Sequence, residues 1–144
     1  MKKNRSGCAL VNTLDIVGDK WSLVIIRDLF LGKKTFTEFL HSSEKIATNI
    51  LSNRLELLKY NQLIEVTKRP NDNKTKIYYL TDKGINLYPV LYEMMHWSKN
   101  NLDAEIGPIS KQWFKDIKEL DASKVIKDSQ EQYVKLRSEI FAFQ

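Results

Sequence analysis

Near the start of one predicted helix lie four short polar side chains that can form hydrogen bonds with a partner molecule. They are Thr48, Asn49, Ser52 and Asn53. An Asn amide can pair with adenine through one donor and one acceptor, and Ser or Thr hydroxyls can contact bases or phosphates. On a helical wheel with Ile50 at zero, the four fall at about 160–300°, on the half opposite most of the leucines. We expect this face to contact a partner such as DNA, with an ordinary solvated face as the alternative.

Two predicted helices and a predicted β-hairpin position these side chains. Between residues 35 and 81 the chain reads helix, turn, helix, strand, loop and strand. The segments are Thr35–Ser42, the turn Ser42–Lys45, Lys45–Tyr60, Leu63–Arg69, the loop Asn71–Lys74 and Lys76–Leu80. That order is typical of a helix-turn-helix followed by a hairpin wing, in which the second helix enters the DNA major groove with its N-terminal residues.

The same pattern predicts DNA contacts on the recognition helix and on the wing. The methyl groups of Ala47 and Thr48 can meet thymine methyls. The predicted contacts of the recognition helix are Lys45, Ala47, Thr48, Asn49, Ser52 and Asn53. The predicted contacts of the wing are Arg69, Asn73, Lys74 and Lys76, which lie at or beside the hairpin tip and can face phosphates or the minor groove.

Arg54 is a basic residue of this helix, yet its position on the wheel, about +40°, lies within the apolar face. A buried guanidinium needs a carboxylate or carbonyl partner. We therefore expect a structural ion pair with Glu38 or Asp28, and a side chain that reaches out to a phosphate is the alternative.

The charge of the chain is uneven in a way that suits a nucleic-acid partner. The formal net charge is +5; residues 1–85 carry 15 Lys and Arg against 9 Asp and Glu, whereas residues 86–144 carry 8 against 9. The basic excess thus lies with the predicted winged segment, as attraction to backbone phosphates requires. Charge alone is explained equally well by a solvated surface.

The residue inventory argues against several other classes of protein. A single Cys excludes an internal disulfide, and the two His and one Cys are too far apart for a zinc site, so no metal is expected. The sequence has no glycine-rich phosphate loop and no paired His and carboxylate motif, which argues against an enzyme and against a cofactor. No apolar run suits a membrane span or a signal peptide, so we expect no membrane contact and a cytoplasmic location.

Helical periodicity also precedes the predicted winged segment. The first predicted helix is Ala9–Val17, and Gly18 after it suits a left-handed C-terminal position. Asp19 suits the N-cap of the next helix, Lys20–Leu31, which is apolar around most of its circumference and ends at Gly32. We expect that helix to be the buried centre of the fold.

A long helix, Asp82–Leu102, is predicted after the wing, with Thr81 as its cap. Pro89 lies inside it and should kink or restart it. Because a small domain offers this largely apolar helix little to cover, we expect a partner subunit there. Packing on the chain's own core is the alternative.

Residues 103–144 form a predicted helical extension of a winged-helix domain at residues 1–102. Its helices are Ile109–Leu120 and Lys124–Phe143, after a break at Gly107 and Pro108. Since their aromatic stripes need a surface, we expect the extension to enlarge a dimer interface, with a ligand pocket or partner recruitment as alternatives. The predicted fold class is a mostly helical α+β protein, a winged helix-turn-helix with N- and C-terminal dimerisation helices.

Residues 8–21 read CALVNTLDIVGDKW and resemble the N-terminal signature of the HxlR-type winged helix regulators, which are related to the MarR group. Further matches follow in order at Gly32–Phe39, Leu51–Leu55, Tyr79–Gly84 and Trp97, so the resemblance covers about residues 8–102. The chain departs from the signature at Ala9, where proline is usual, and at Asp19, where a second glycine is usual.

The resemblance implies a bacterial transcription factor that forms homodimers through the first helix and the helix after the wing and binds palindromic operators. Many such proteins repress and some activate. We therefore expect a sequence-specific DNA-binding regulator, with repression the commoner role. A winged-helix module that binds protein instead of DNA is the alternative, and a small-molecule effector is not specified by the sequence.

The resemblance also implies a role for Cys8, because several members respond to oxidants or electrophiles through an N-terminal cysteine. A helix N-terminus and the upstream Lys2, Lys3 and Arg5 favour the thiolate form. With one Cys per chain, oxidation can link two subunits or add a small thiol. An inert side chain at a dimer seam is the alternative.

Overall fold

The computed structural model describes residues 4–142, which form eight helices and one two-stranded antiparallel sheet. The elements are α1 (Ala9–Val17), α2 (Ser22–Phe30), α3 (Phe36–Leu40), α4 (Thr48–Tyr60), β1 (Ile64–Arg69), β2 (Asp72–Leu80), α5 (Asp82–Ile85), α6 (Tyr88–Asn101), α7 (Pro108–Asp116) and α8 (Ala122–Ile140). The predicted mostly helical α+β architecture is confirmed, with α3 and α4 as the helix-turn-helix and β1–β2 as the wing. Across residues 4–142, no helix is both long and apolar enough to cross a membrane.

α2 is the central helix of the core, as its apolar sequence predicts. Ile25, Ile26 and Leu29 are each no more than 2% exposed. They belong to one core with Phe39 of α3, the inner leucines of α4 and the apolar residues of the hairpin. Because each such side chain stabilises the fold by about 1.5–3 kcal/mol when buried, α2 holds both helices of the helix-turn-helix and the wing in one unit.

The junction between α1 and α2 differs in detail from the prediction. Gly18 is right-handed, with φ −79°, and not left-handed. Glycine is needed there because a Cβ atom would lie 2.4 Å from the carbonyl oxygen of Leu14. Trp21 occupies the N-cap position of α2, while the Asp19 carboxylate supplies the capping acceptor to the main-chain N–H groups of Trp21 and Ser22.

α3 begins with a complete capping box. The Thr35 hydroxyl accepts the main-chain N–H of Glu38, and the Glu38 carboxylate accepts the main-chain N–H of Thr35. Thr35 is thus the N-cap residue of α3. Glu38 is committed to this box, so it does not form the pair with Arg54 that the sequence suggested.

The wing is a tighter hairpin than predicted. β1 pairs with β2 in antiparallel register, with a shift between Lys68 and Arg69. Arg69 already pairs with Asp72, so the predicted polar loop is largely the start of β2. The Asp72 carboxylate accepts the main-chain N–H groups of Lys74 and Thr75, which closes the bend that this shift leaves in the strand.

The helix predicted after the wing is divided into α5 and α6. Pro89 restarts the helix, since it lies in the first turn of α6. The Thr81 hydroxyl caps α5 by accepting the main-chain N–H of Gly84 at 3.1 Å. Gly84 lies so close to the wing that a Cβ atom there would be 2.2 Å from the carbonyl oxygen of Leu63.

The last helix, α8, packs on the core of its own chain. Tyr133 is 4% exposed, and its ring meets the Phe30 ring edge to face at 5.4 Å between centroids. The aromatic stripe of α8 therefore finds its surface within the same chain. α8 ends at Ile140, before the predicted end at Phe143, which lies outside the described residues. The division of the chain at residue 102 stays a prediction.

Candidate nucleic-acid interface

The recognition helix α4 begins at Thr48, and not at Lys45 as predicted. Lys45 lies in the preceding turn with φ +57°, and a residue with positive φ cannot continue an α-helix. Ala47 is the N-cap residue, with extended backbone. Both side chains are exposed just before the helix, and Ile46 between them is buried and anchors the turn.

The outer face of α4 carries the polar cluster that the sequence singled out. Thr48, Asn49, Ser52 and Asn53 are all exposed. The opposite face is apolar, and its side chains are each at most 2% exposed: Leu51, Leu55 and Leu58. Leu57, at the edge of the apolar arc in the last turn of α4, is 42% exposed.

A network of charges around Asp28 fixes the turn that leads into α4. Asp28 is 2% exposed and accepts hydrogen bonds from Arg27 and from the Ser42 hydroxyl. Lys33 donates to the same hydroxyl at 2.7 Å. Arg27 also donates two 2.8 Å hydrogen bonds to Glu44, and this pairing lowers the pKa of Glu44 from 4.5 to about 2. A buried carboxylate of α2 thereby holds both ends of the turn.

Arg54 makes the structural ion pair expected of it, but with a different carboxylate. Its Nε atom lies 3.0 Å from Oδ2 of Asp19, and the two side chains are 28% and 23% exposed. The contact is an ion pair without the alignment of a hydrogen bond. Asp28, the other partner that the sequence allowed, is occupied by Arg27 and Ser42.

The pKa of Asp19 is lowered by this setting. Partial burial disfavours the charged carboxylate, but hydrogen bonds from the Ser22 side chain and from the N–H groups of Trp21 and Ser22, together with the charge of Arg54, outweigh it. Asp19 is therefore held as an anion that caps α2 and pairs with α4.

Recognition helix and wing meet at a groove of about 410 Å³ between α3, α4 and β2. Ser52 lines it from α4, and Lys74 and Lys76 line it from the wing. Arg69 and Asn73, the other two wing candidates, are exposed on the hairpin outside the groove. The polar face of α4 and two wing ammonium groups thus open on the same side of the molecule.

Two further residues of this groove were not selected from the sequence. Glu56 lies one turn after Ser52 on α4 and can accept a hydrogen bond from a cytosine amino group. Its position on the outward half of the helical wheel could have identified it from the sequence. Thr37 is exposed in the first turn of α3, and only the packing of α3 beside α4 places it in the groove.

Cys8 is exposed at the N-cap position of α1. Its main-chain N–H donates to the Ser6 hydroxyl, and Arg5 forms a 2.7 Å ion pair with Asp15. Lys2 and Lys3 lie outside the described residues. Within residues 4–142 no cluster of three or more His, Cys, Asp or Glu side chains could hold a metal ion.

Large apolar side chains remain exposed on α1 and α6. Leu10 and Leu14 of α1 are 67% and 48% exposed, and Trp97 of α6 is 59% exposed. In α7, Ile109 is 78% exposed. Large exposed apolar side chains of this kind are available for contact with a partner surface.

A helix-turn-helix whose recognition helix borders a basic hairpin defines the winged-helix class of DNA-binding transcription regulators. The chain belongs to the family of HxlR-like helix-turn-helix proteins, whose family model matches residues 16–106. The resemblance found in the sequence is thereby confirmed. Members of this family are transcriptional regulators, and α7 and α8 lie beyond the matched residues.

Similar proteins and structures agree with this membership. The chain is 35% identical over 99 residues to the uncharacterized HTH-type transcriptional regulator YdeP of Bacillus subtilis, covering 67% of this chain and 76% of that protein. It is 32% identical over 87 residues to the HTH-type transcriptional regulator YodB of the same organism, covering 60% and 78%. The crystal structure of PA1607, a transcription factor by its description, has a TM-score of 0.65 at 33% identity over 72% of each chain. The redox regulator HypR in its oxidized form has a TM-score of 0.61 at 28% identity, covering 67% of this chain and 100% of that one.

Proposed function

We propose that the protein is a sequence-specific DNA-binding repressor that acts as a homodimer on a palindromic operator. The observation that carries the proposal is the groove in which Ser52 of the recognition helix lies beside Lys74 and Lys76 of the wing. One element can then read base edges while the other neutralises phosphates of the adjoining backbone. As a regulator of chromosomal genes it would act in the bacterial cytoplasm.

Roles follow from the chemistry and position of each side chain. Asn49 and Asn53 would read adenine, and Thr48 and Ser52 would contact bases or phosphates. Lys45, in the turn before α4, would contact a phosphate, and Ala47 would meet a thymine methyl. On the wing the contacts would be Arg69, Asn73, Lys74 and Lys76, of which the two lysines line the groove beside α4.

Two copies are needed for a palindromic site, since a two-fold dimer presents two recognition helices to two half-sites. The exposed apolar residues of α1 and α6, chiefly Leu10, Leu14 and Trp97, would form the dimer contact. Ile109 would add a contribution from the C-terminal extension. This arrangement leaves the outer face of α4 free in each subunit.

Selection of genomic fragments by the full chain tests the proposal. Bound fragments should share an inverted repeat, and a gel shift should show the repeat bound far more tightly than a scrambled fragment of equal length. Asn49→Ala should lose discrimination at its base pair by about 1–3 kcal/mol, the range for a bidentate contact. Ser52→Ala should also lose discrimination, at a different base pair.

Lys59→Ala is the matched control, because Lys59 is exposed in the last turn of the same helix and away from its N-terminus. It should leave the preferred sequence unchanged. If the selected fragments share no sequence, or if Asn49→Ala and Ser52→Ala bind like the unaltered chain, the protein is a winged-helix module with another partner.

A redox response through Cys8 is a second proposal, favoured by the exposure of this thiol at the N-cap of α1. Solved relatives include a redox regulator in oxidized and reduced forms and a diamide-treated form of YodB. Two Cys8 thiols from two subunits would form one disulfide, with two electrons and two protons passing to the oxidant.

Diamide treatment tests this second proposal, since the reagent accepts those electrons and protons. The unaltered chain should run as a cross-linked dimer on a non-reducing gel and change its affinity for the selected operator, and a thiol reductant should reverse both effects. Cys8→Ser should abolish both effects. An equal change of affinity in Cys8→Ser would show that the response does not use this thiol.

A further inference from the structure

The C-terminal helix α8 holds the main chain of the wing at the end of strand β2. Leu80 is the last residue of that strand and is fully buried. Its N–H donates to the Tyr133 hydroxyl at 2.8 Å. Its carbonyl oxygen accepts from Nη1 of Arg137 at 3.0 Å. Two side chains that are one helical turn apart on α8 thus satisfy both main-chain polar groups of a single wing residue.

Further contacts make this attachment rigid. The ring of Tyr133 is held against Phe30 of the central helix, so its hydroxyl has a fixed position. Nη2 of Arg137 donates to Asp82, the first residue of α5, at 2.9 Å. Toward the end of α8, Phe141 meets the ring of Tyr79 edge to face at 5.2 Å. α8 therefore contacts the wing, the core and the start of α5 together.

We propose that α8 sets the position of the wing for DNA binding, and that Tyr133 and Arg137 are its positioning residues. This inference rests on the proposed function, in which Lys74 and Lys76 contact phosphates. Because α8 lies beyond the residues shared with the family, the device belongs to the extension of this chain and not to the common winged-helix unit.

Because β2 is long, a small rotation at Leu80 produces a large displacement at the tip of the wing. A strand rises about 3.3 Å per residue, so Lys76 and Lys74 lie roughly 13 and 20 Å from Leu80 along β2. A rotation of about 10° at Leu80 would move Lys74, roughly 20 Å away, by about 3.5 Å. That displacement exceeds the range over which a hydrogen bond to a phosphate oxygen persists. A small release at the base of the wing would therefore remove contacts at its tip.

The experiment compares Tyr133→Phe, the wing variant Lys74→Ala with Lys76→Ala, and their combination in titrations against the selected operator. Tyr133→Phe removes one oxygen and keeps the ring. It should weaken operator binding about 3- to 10-fold and flatten the dependence of affinity on salt, because phosphate contacts are lost. In the wing variant, the same substitution should have no further effect. Arg137→Met should act in the same direction.

Tyr88→Phe is the matched control, because the Tyr88 ring also packs edge to face on Phe30, at 5.0 Å. It should bind the operator like the unaltered chain. The inference is overturned if Tyr133→Phe binds with unchanged affinity and salt dependence, or if its effect is as large when the wing lysines are absent, since either result would mean that α8 does not act through the wing.

Amide hydrogen exchange tests the inference without DNA, so that its failure can be distinguished from failure of the proposed function. Tyr133→Phe should speed exchange across residues 72–80 while the amides of α2 keep their protection. Unchanged exchange in β2 would overturn the inference even if the operator is bound. Faster exchange in β2 with no DNA binding by any variant would sustain the attachment of the wing and contradict the proposed function.

Discussion

Asp19 links the start of the central helix to the recognition helix, because its Oδ2 atom lies 3.0 Å from Nε of Arg54 and also accepts the N–H groups of Trp21 and Ser22. One carboxylate thereby fixes the orientation of α4 against α2. Asp19 is also one of the two positions at which the chain departs from the resembled signature.

Removing either charge of this pair should destabilise the fold modestly. Asp19→Asn and Arg54→Gln should each lower the free energy of unfolding by about 1 kcal/mol, since both side chains are partly exposed. Asp19→Ala should cost more, because the capping acceptor is lost as well. Urea denaturation of both single variants and the double variant measures the coupling.

The more exposed pair between Arg5 and Asp15 provides the control, and Arg5→Gln should change stability by less than about 0.5 kcal/mol. Fully additive effects of Asp19→Asn and Arg54→Gln would show that the two charges are not coupled.

Gly84→Ala should disrupt the junction between the wing and α5. A Cβ atom there would lie 2.2 Å from the carbonyl oxygen of Leu63 and 3.0 Å from a methyl carbon of Leu80. Since backbone would have to shift, we expect a loss of about 2–3 kcal/mol in denaturant unfolding. Gly107→Ala, where nothing lies within 4 Å, should stay within about 0.5 kcal/mol of the unaltered chain. Equal stability of the two variants would contradict the close approach.

The ion pair of Glu44 with Arg27 should make stability depend on acid pH. Pairing lowers the pKa of Glu44 from 4.5 to about 2, so the folded state favours the charged carboxylate. Its contribution is present above pH 4.5 and lost as the pH falls toward 2. The difference in unfolding free energy between the unaltered chain and Glu44→Gln should therefore be constant near neutrality and shrink over that range. A difference that grows on acidification would contradict the pairing.

Charge placed on the exposed apolar face of α6 should weaken self-association. Trp97 is 59% exposed, and we expect Trp97→Asp to raise the dimer dissociation constant at least 10-fold, as measured by sedimentation. A buried Trp at an interface commonly contributes 2 kcal/mol or more. Tyr60→Asp is the control, since Tyr60 is 75% exposed at the end of α4 and should leave the dimer intact. Equal sedimentation of both variants would remove Trp97 from the interface.

Local features of the fold could be predicted from the sequence, and long-range pairings could not. The bounds of α1, the cap at Thr81 and the restart at Pro89 follow from spacing and from single-residue chemistry. The start of α4 was predicted too early, because Lys45 adopts a positive φ that the periodicity of the helix does not reveal.

In the candidate site, too, local features could be predicted from the sequence and long-range contacts could not. The wheel identified the polar face of α4 and the inward turn of Arg54, since both depend on the 3.6-residue repeat alone. The partner of Arg54 was wrong, because the choice of Asp19 depends on how α1 and α2 join. The attachment of Tyr133 to Leu80 spans 53 residues of chain and has no local signature.

The salt dependence of operator binding tests the central claim most directly. On a selected operator fragment, the logarithm of affinity should fall linearly with the logarithm of salt concentration. Replacing both Lys74 and Lys76 by Ala should reduce the magnitude of that slope by about 3.6, near 0.9 for each of the two phosphate contacts in each of the two subunits. Lys111→Ala, on the exposed surface of α7, should leave the slope unchanged. A slope that is the same with and without the wing lysines, or equal affinity for operator and scrambled DNA, would contradict a recognition helix and wing that bind DNA together.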